Sequence, residues 1–408
     1  MKPWDDQYVE AKAPGVYVED DFQLPRSSPF MTGVPVFLGV PGKPPLLPGK
    51  APLRKEPRRL YEPMMLSLWS HFERHVGDPE SHGYFAYAVR GFFANGGQRC
   101  FVVLLPDISV QSLETAFTGI AGHPDYALSA MNTVDLVCAP DLVKQEDRKL
   151  GFELQQMLVD HCETAGDRFA ILDSWCSDGS KDVWQQWSEI DGKNGAIYYP
   201  WVKVRSFDGH STVLVPPCGH IAGVYARTDQ QVGVHKAPAN EVLEGVLGLE
   251  REISQADQAE LNPRRINCLR AFPGRGIRVW GARTLSGNDA WTYINVRRLF
   301  LTAVRRIESR AQDVAFEPNE PKLWARIERE LESYFMEQFR RGALKGRTPE
   351  EAFYVKCNSE TNPREVRDAG QIVTEIGLAP GVPFEFVVVR LIQGRGGVSL
   401  VGPVQAQQ

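Results

Sequence analysis

Short hydrophobic runs alternate with amphipathic stretches through the first half of the chain. The hydrophobic runs occupy residues 33–40, 100–105, 134–140, 169–173, 196–199 and 212–217. Apolar residues recur at helical spacing over residues 63–98, 112–121, 146–165 and 180–191. Because short buried strands that alternate with helices are typical of parallel βαβ units, this rhythm predicts a mixed α/β fold with helices packed on a sheet.

The second half predicts two long helices beside further strands. A helix of small residues is expected at 221–227, and strands are expected within 264–285 and at 352–357 and 385–391. Residues 291–311 and 321–341 each carry an apolar stripe at helical spacing. The second of these helices has Pro321 at its start and Gly342 at its end, which is the usual pattern of helix termini.

Neither end of the chain has the pattern of a packed element. Residues 1–30 contain four prolines, which break helices, and residues 393–408 are rich in glycine. Each end has one β-prone run: Gly15, Val16, Tyr17, Val18 and Glu19 near the start, and Val398, Ser399, Leu400 and Val401 near the end. We interpret both ends as extended arms. The alternatives are a frayed N-terminus and, for 398–401, a last strand of the chain's own sheet.

Length, composition and charge narrow the classes of function. A chain of 408 residues is longer than one hydrophobic core usually supports, so we expect two domains or one core with a large insertion. A net charge of -5 at pH 7 argues against a general nucleic-acid binder. The N-terminus lacks the pattern of a secretory signal, and no run of about 18 apolar residues suggests a membrane span. We therefore expect the chain to fold in a cytoplasm or to be released from one.

No motif predicts a nucleotide or metal site. The phosphate loop G-x-x-x-x-G-K-[ST] is absent, and residues 39–44 have the wrong spacing and prolines that remove amide donors. His71 and His75 have the spacing of two metal ligands, but no third ligand accompanies them, so we interpret them as part of a solvated helix face. The seven cysteines are scattered, which predicts reduced and mostly buried thiols.

Asp173 and Asp178 provide the main alternative, an α/β enzyme. Asp173 ends a predicted strand and Asp178 lies in the following loop, where α/β enzymes often place catalytic residues. No Ser, Cys or His accompanies them in a known catalytic pattern, so a capping carboxylate is the simpler interpretation of Asp173. We predict no catalytic residue, no cofactor and no metal.

Arginines concentrate on the first of the two long helices. They are Arg297, Arg298, Arg305, Arg306 and Arg310, whereas the second helix carries charges of both signs. Three interpretations stay open: a solvated face with ion pairs, a protein–protein surface, in which arginine is enriched, and a nucleic-acid surface. The last is disfavoured because no aromatic residues are interleaved with the arginines.

Residues 216–240 resemble the segment of contractile tail sheath proteins that ends in K-A-P-A-N. Further matches to this family lie at 261–263, 272–276, 279–285, 293–299, 316–319, 342–344, 349–353, 357–358 and 361–362. Residues 15–19 are similar to the family's N-terminal P-G-V-Y-V-E. The resemblance covers the N-terminal arm and residues 216–392 and is weak over 41–200.

The resemblance implies a structural subunit of a phage tail or a phage-tail-like injection particle, and not an enzyme. In such sheaths, six-membered rings stack around an inner tube, terminal arms add strands to neighbouring sheets, and contraction drives the tube through a target envelope. The implied partners are further copies of the chain, the inner tube protein, baseplate and cap proteins, and sheath paralogues, without nucleic acid or membrane insertion. Assembly is expected in the bacterial cytoplasm, and the particle is extracellular if released.

The resemblance also implies how the chain is divided. Arms are expected at 1–30 and 393–408, a conserved core domain at 206–392, and a variable, outward-facing α/β domain at 31–205. The core is expected to be built from both ends of the chain. The charged faces of the two long helices are candidates for contact with the tube or a neighbouring subunit: Arg297, Arg298, Arg305, Arg306, Arg329, Arg340, Arg341 and Lys345.

Overall fold

A central sheet and two smaller sheets organise the fold. The computed structural model describes residues 31–42, 60–176, 180–311, 317–381, 387–394 and 397–401. The strands are β1 Pro35–Gly39, β2 Met64–Leu66, β3 Cys100–Leu104, β4 Leu136–Cys138, β5 Phe169–Asp173, β6 Gly195–Tyr199, β7 Val202–Arg205, β8 Thr212–Val215, β9 Val246–Leu249, β10 Ile266–Phe272, β11 Gly276–Trp280, β12 Phe353–Lys356, β13 Ile372–Leu378, β14 Val387–Gly394 and β15 Gly397–Val401.

Helices cover both faces of the central sheet and pack beside the C-terminal strands. They are α1 Ser70–His75, α2 Tyr84–Ala94, α3 Val110–Thr118, α4 Arg148–Ala165, α5 Ser180–Glu189, α6 Cys218–Gln231, α7 Gln255–Leu261, α8 Ile294–Ala311, α9 Pro321–Arg340, α10 Pro349–Ala352 and α11 Arg364–Asp368. In the part of the chain that the structure describes, no helix is both long enough and apolar enough to cross a bilayer.

The central sheet has eight strands in the order β11-β10-β6-β5-β4-β1-β3-β2. The inner strands from β10 to β3 run parallel, and the edge strands β11 and β2 pair antiparallel with their neighbours. Strands β1, β5 and β6 are buried along their whole length, because helices cover both faces of a parallel sheet. The alternation of strands and helices that the sequence predicts is therefore confirmed.

Small residues on α6 allow it to pack closely against α2 on one face of the central sheet. A Cβ atom at Gly219 would lie 2.1 Å from the carbonyl oxygen of Ala88, so only glycine fits this contact. Phe85 and Phe92 of α2 join Tyr225 of α6 in the core of that face. On the other face, α3, α4, α5 and α7 bury a second apolar core.

The C-terminal part of the chain forms a separate antiparallel sheet in the order β12-β13-β14-β15. Helices α8 and α9 pack on it through a third core, in which Phe300 of α8 and Phe335 of α9 meet Phe353 of β12. A three-stranded sheet, β8-β7-β9, lies against the α2–α6 core.

The structure differs from the sequence prediction in several elements. The prediction that residues 63–98 are mostly helical is wrong at 64–66, which form the edge strand β2, because pairing with β3 overrides the local pattern. The prediction also omitted β9, α7 and β13. The central sheet takes β10 and β11 from beyond residue 205, so it is not confined to the segment 31–205. The outward orientation of that segment stays a prediction.

Candidate functional site

The C-terminal sheet ends in a short strand that contains one of the predicted arm runs. Residues 398–401 lie in β15, which pairs antiparallel with β14 of the same chain, so the alternative of a last strand in the chain's own sheet is what the structure shows. Among the described strands, β15 has β14 as its neighbour and closes that side of the sheet. An edge strand presents a row of backbone N–H and C=O groups, which is a template for a strand from another chain. The other predicted arm run, 15–19, lies outside the described residues.

Three arginines of α8 are interior residues, which corrects the prediction that they form a contact surface. Arg297 is 1% exposed, Arg298 is 3% exposed and Arg305 is 6% exposed. The reason is that α8 packs on two sides. Val296, Leu299, Phe300, Ala303, Val304 and Ile307 face the C-terminal sheet, whereas Ile294 and Leu301 join the core of the central sheet.

The sequence contained a signal for this burial that the charge pattern concealed. Ile294, Arg298, Leu301 and Arg305 recur at spacings of four, three and four residues, which places them on one face of a helix. This second stripe is half apolar and half arginine. Because arginine is usually exposed, the stripe is easily taken for a solvated face.

Arg298 joins two buried carboxylates. Its Nη1 and Nη2 donate to Oδ1 and Oδ2 of Asp229 on α6, at 2.9 and 2.6 Å, and Nη2 also donates to Oδ2 of Asp135, at 3.1 Å. The guanidinium carbon lies 4.8 Å from the ring centre of Tyr225. Burial raises the pKa of Asp229 and the Arg298 charge opposes that rise. Burial by itself lowers the pKa of Arg298, but the two carboxylates outweigh it and the pKa of Arg298 is raised. Arg298 and the two carboxylates therefore form an ion cluster in the interior of the protein.

The other two buried arginines are also held by internal acceptors. Arg297 donates from Nε to Oδ1 of Asn194 at 2.6 Å, and its guanidinium lies over the ring of Trp291. Arg305 donates from Nη2 to the carbonyl oxygens of Asn132 and Thr133, at 3.3 and 3.1 Å. Both side chains therefore act inside the fold.

The remaining predicted contact residues are on or near the surface. Arg329, Arg340, Arg341 and Lys345 are exposed, and Arg306 is half-buried with its guanidinium over the ring of Tyr334. Arg341 forms an exposed ion pair with Glu337, one turn back on α9, at 2.6 Å. Arg340 and Arg341 place positive charge at the C-terminal end of α9, where it also complements the helix dipole, whereas Arg329 lies in the middle of that helix.

Family models match most of the chain. The model for the phage tail sheath protein central domain matches residues 111–285, and the model for the phage tail sheath C-terminal domain matches residues 286–393. The chain belongs to the tail sheath protein family. Sequence reasoning placed the resemblance mainly at 216–392, and the match to the central domain extends it to residue 111.

Sheath proteins are also its relatives in sequence and in structure. The tail sheath protein of Salmonella phage ViI is 29% identical over 177 residues, which are 42% of this chain and 27% of that protein. The helical sheath of the anti-feeding prophage in its contracted state is 30% identical, with a TM-score of 0.70 over 92% of this chain and 97% of that one. The sheath complex of the extracellular contractile injection system PVC, also contracted, is 27% identical, with a TM-score of 0.69 over 91% and 94%.

In this sheath family member, Asp173 has the capping role that the sequence suggested as the simpler interpretation. It is fully buried, and its Oδ1 accepts a hydrogen bond from the N–H of Cys218, the first residue of α6, at 2.7 Å. Burial raises the pKa of Asp173 to about 7. Asp178, the second residue of the alternative enzyme site, lies outside the described residues.

The position at which α/β enzymes usually bind ligands is filled by the sheath protein's own side chains. Strand order reverses at β1, between β3 and β4, and ligands of such sheets bind beyond the carboxyl ends of the strands there. At that point Asp141 accepts a hydrogen bond from the N–H of Val40 at 3.0 Å and pairs with Lys144 at 2.5 Å. Among the described residues, no group of three or more His, Cys, Asp or Glu side chains is arranged to hold a metal ion.

Proposed function

We propose that this chain is the structural subunit of a contractile sheath. In this proposal, subunits form six-membered rings that stack helically around an inner tube, and contraction drives the tube through a target envelope. The observation that carries it is the match over 92% of the chain to a helical sheath in its contracted state. The aligned part of the curated phage relative is only 27% of that protein, so the phage tail and the injection particle are both retained as the parent assembly.

The backbone of the C-terminal sheet supports subunit linkage by strand addition. The outer edge of β15 has the geometry to accept a strand, and the β-prone residues 15–19 of another subunit are the proposed donor. A link of this kind runs from each subunit to a different one and does not close on itself, so it generates a filament.

The exposed positive charges on α9 and just after it are the proposed contact with the tube or a neighbouring subunit. Arg329, Arg340, Arg341 and Lys345 remain available on the surface for such a contact, whereas the buried arginines of α8 are not proposed for it. Baseplate, cap and paralogous sheath proteins are the further proposed partners. Assembly is proposed to take place in the bacterial cytoplasm.

Negative-stain microscopy of the purified chain tests the proposal. We expect tubes or stacked rings at high concentration, because the proposed ring and stacking contacts join copies of this chain. Deletion of residues 1–22 is expected to leave folded subunits that form no tubes, and the intact chain is the matched control. Full-length protein that stays monomeric at all concentrations, with and without the tube protein, would refute the proposal.

A further inference from the structure

Two buried carboxylates hold the beginning of the compact unit, which starts at Thr32. The N–H groups of Gly33 and Val34 donate to Oδ2 and Oδ1 of Asp135, at 2.9 and 2.6 Å. The Thr32 side chain donates a hydrogen bond to Asp229. Every residue from 32 to 34 is therefore bound to a carboxylate distant in the chain, either Asp135, directly before β4, or Asp229 on α6.

Gly33 lies directly against α6. Its φ is +72°, which L-residues with a side chain rarely adopt, and an added Cβ would lie 2.5 Å from Cα of Ala226. Ala226 and Asp229 are three residues apart on α6 and so lie on the same face. The chain is thus fixed on α6 by close packing as well as by hydrogen bonds.

Arg298 connects this point to α8. Because it binds both Asp135 and Asp229, it links the two carboxylates that hold residues 32–34. The bidentate contact with Asp229 uses the fork of the guanidinium, which lysine cannot reproduce. Removing one member of a buried ion cluster leaves the others uncompensated, so such clusters resist stepwise opening.

Helix α8 in turn borders the C-terminal strand. The backbone of β15 runs beside α8, and α8 packs on β12 and β13 through Phe300 and its neighbours. A single helix therefore touches the C-terminal sheet on one side and the cluster at the start of the unit on the other.

We infer that Arg298, Asp135 and Asp229 form a mechanical anchor for the N-terminal segment, residues 1–31. Tension along that segment reaches the hydrogen bonds of Thr32, Gly33 and Val34 first, and the cluster passes it to α6 and α8 instead of to the end of β1. Arg298 is the positioning residue of the anchor, because it joins both carboxylates. This inference rests on the proposed function, in which the N-terminal segment links one subunit to another.

Hydrogen exchange on the full-length, unassembled chain tests the anchor. The variant is Arg298→Lys, and the matched control is Arg168→Lys, since Arg168 is another buried arginine that binds a carboxylate through two nitrogens, to Asp167 at 2.6 and 3.1 Å. We expect the amides of Gly33 and Val34 to exchange about tenfold faster or more in Arg298→Lys and to be unchanged in Arg168→Lys. Equal rates at these two amides in both variants would overturn the anchor. If Arg298→Lys fails to fold, Asp229→Asn takes its place.

Pulling on the full-length chain through handles at residues 1 and 408 tests the mechanical part. We expect the first rupture force to fall in Arg298→Lys and to stay at the wild-type value in Arg168→Lys. An unchanged first rupture in Arg298→Lys would contradict the inference. Both measurements use single subunits, so a chain that forms no sheath would refute the proposed function while the anchor is judged separately.

Discussion

The Asp173 carboxylate at the end of β5 accepts a hydrogen bond from the backbone N–H of Cys218 at the start of α6, at 2.7 Å. Burial raises the pKa of Asp173 to about 7, so the folded protein keeps a proton here that the unfolded chain releases near pH 4. The free energy that this proton contributes to stability is present at low pH and is lost as the pH rises through about 7.

We therefore expect Asp173→Asn to gain stability relative to the wild type as the pH rises. Asparagine keeps the acceptor for the Cys218 amide but has no charge to bury. Between about pH 5 and about pH 8 the difference in unfolding free energy should move in favour of the variant by roughly 2–3 kcal/mol. Urea unfolding at several pH values measures it, and parallel curves for the two proteins would contradict the raised pKa.

Alanine variants of Arg297 and Arg340 should distinguish a loss of stability from a loss of assembly. Arg297 is buried and bound to Asn194, so Arg297→Ala should lower the unfolding free energy by about 2 kcal/mol or more through lost packing and an unsatisfied amide oxygen. Arg340 is exposed, so Arg340→Ala should change stability by less than about 0.5 kcal/mol.

Stability is expected to suffer more in Arg297→Ala, but tube formation is expected to suffer more in Arg340→Ala. The assay is run at a temperature low enough for both variants to be folded. Arg340→Ala should assemble more weakly than Arg297→Ala if the end of α9 is a contact surface. Wild-type assembly by Arg340→Ala and by the corresponding variants of Arg341 and Lys345 would remove this surface from the proposal.

Close packing at Gly219 should tolerate no side chain. In Gly219→Ala the new Cβ would meet the backbone of α2 at 2.1 Å, and the helices would have to separate, which should cost about 1–3 kcal/mol. Gly248→Ala is the matched control, because its nearest contact would be the flexible Lys203 side chain at 3.5 Å. Thermal unfolding measures both. Equal melting temperatures would show that α2 and α6 are not in the contact described.

Two proline variants in β15 should distinguish its pairing with β14 of the same chain from the proposed pairing with a strand of another subunit. Successive N–H groups of a strand point to opposite edges, so one of Ser399→Pro and Leu400→Pro removes a hydrogen bond to β14, whereas the other removes a donor from the outer edge. We expect both variants to fold and the outer-edge variant to be the more defective in tube formation, with circular dichroism as the check on folding. Normal tubes from both variants would exclude the outer edge of β15 as an acceptor.

The sequence was most informative where local pattern and tertiary environment agree. Strands β5 and β6 are continuous apolar runs because helices cover both of their faces, and α9 has one apolar stripe because one side packs on the sheet. Strand β2 was misread because its three residues are set by pairing with β3, which local periodicity does not report.

The candidate site was less predictable for a different physical reason. An arginine on a helix has the same local pattern whether water or a buried carboxylate binds it. The partners of Arg298, Asp135 and Asp229, are more than 60 residues away, at separations of 163 and 69 residues. The helical spacing of Ile294, Arg298, Leu301 and Arg305 is a local sign of burial, but a single sequence does not identify partners at such separations. The surface prediction therefore failed for the three arginines that face the interior.

Strand β10 is a central strand of the sheet that comes late in the chain, and this position has a consequence for folding during synthesis. Strand β6 pairs with β5 on one side and with β10 on the other, and β10 begins some 70 residues after β6, at Ile266. Until the ribosome has released β10, the parallel sheet has an open apolar edge at β6, which is prone to pair with other nascent chains. Slower translation between residues 200 and 266 is therefore expected to lengthen the time during which the incomplete sheet is exposed.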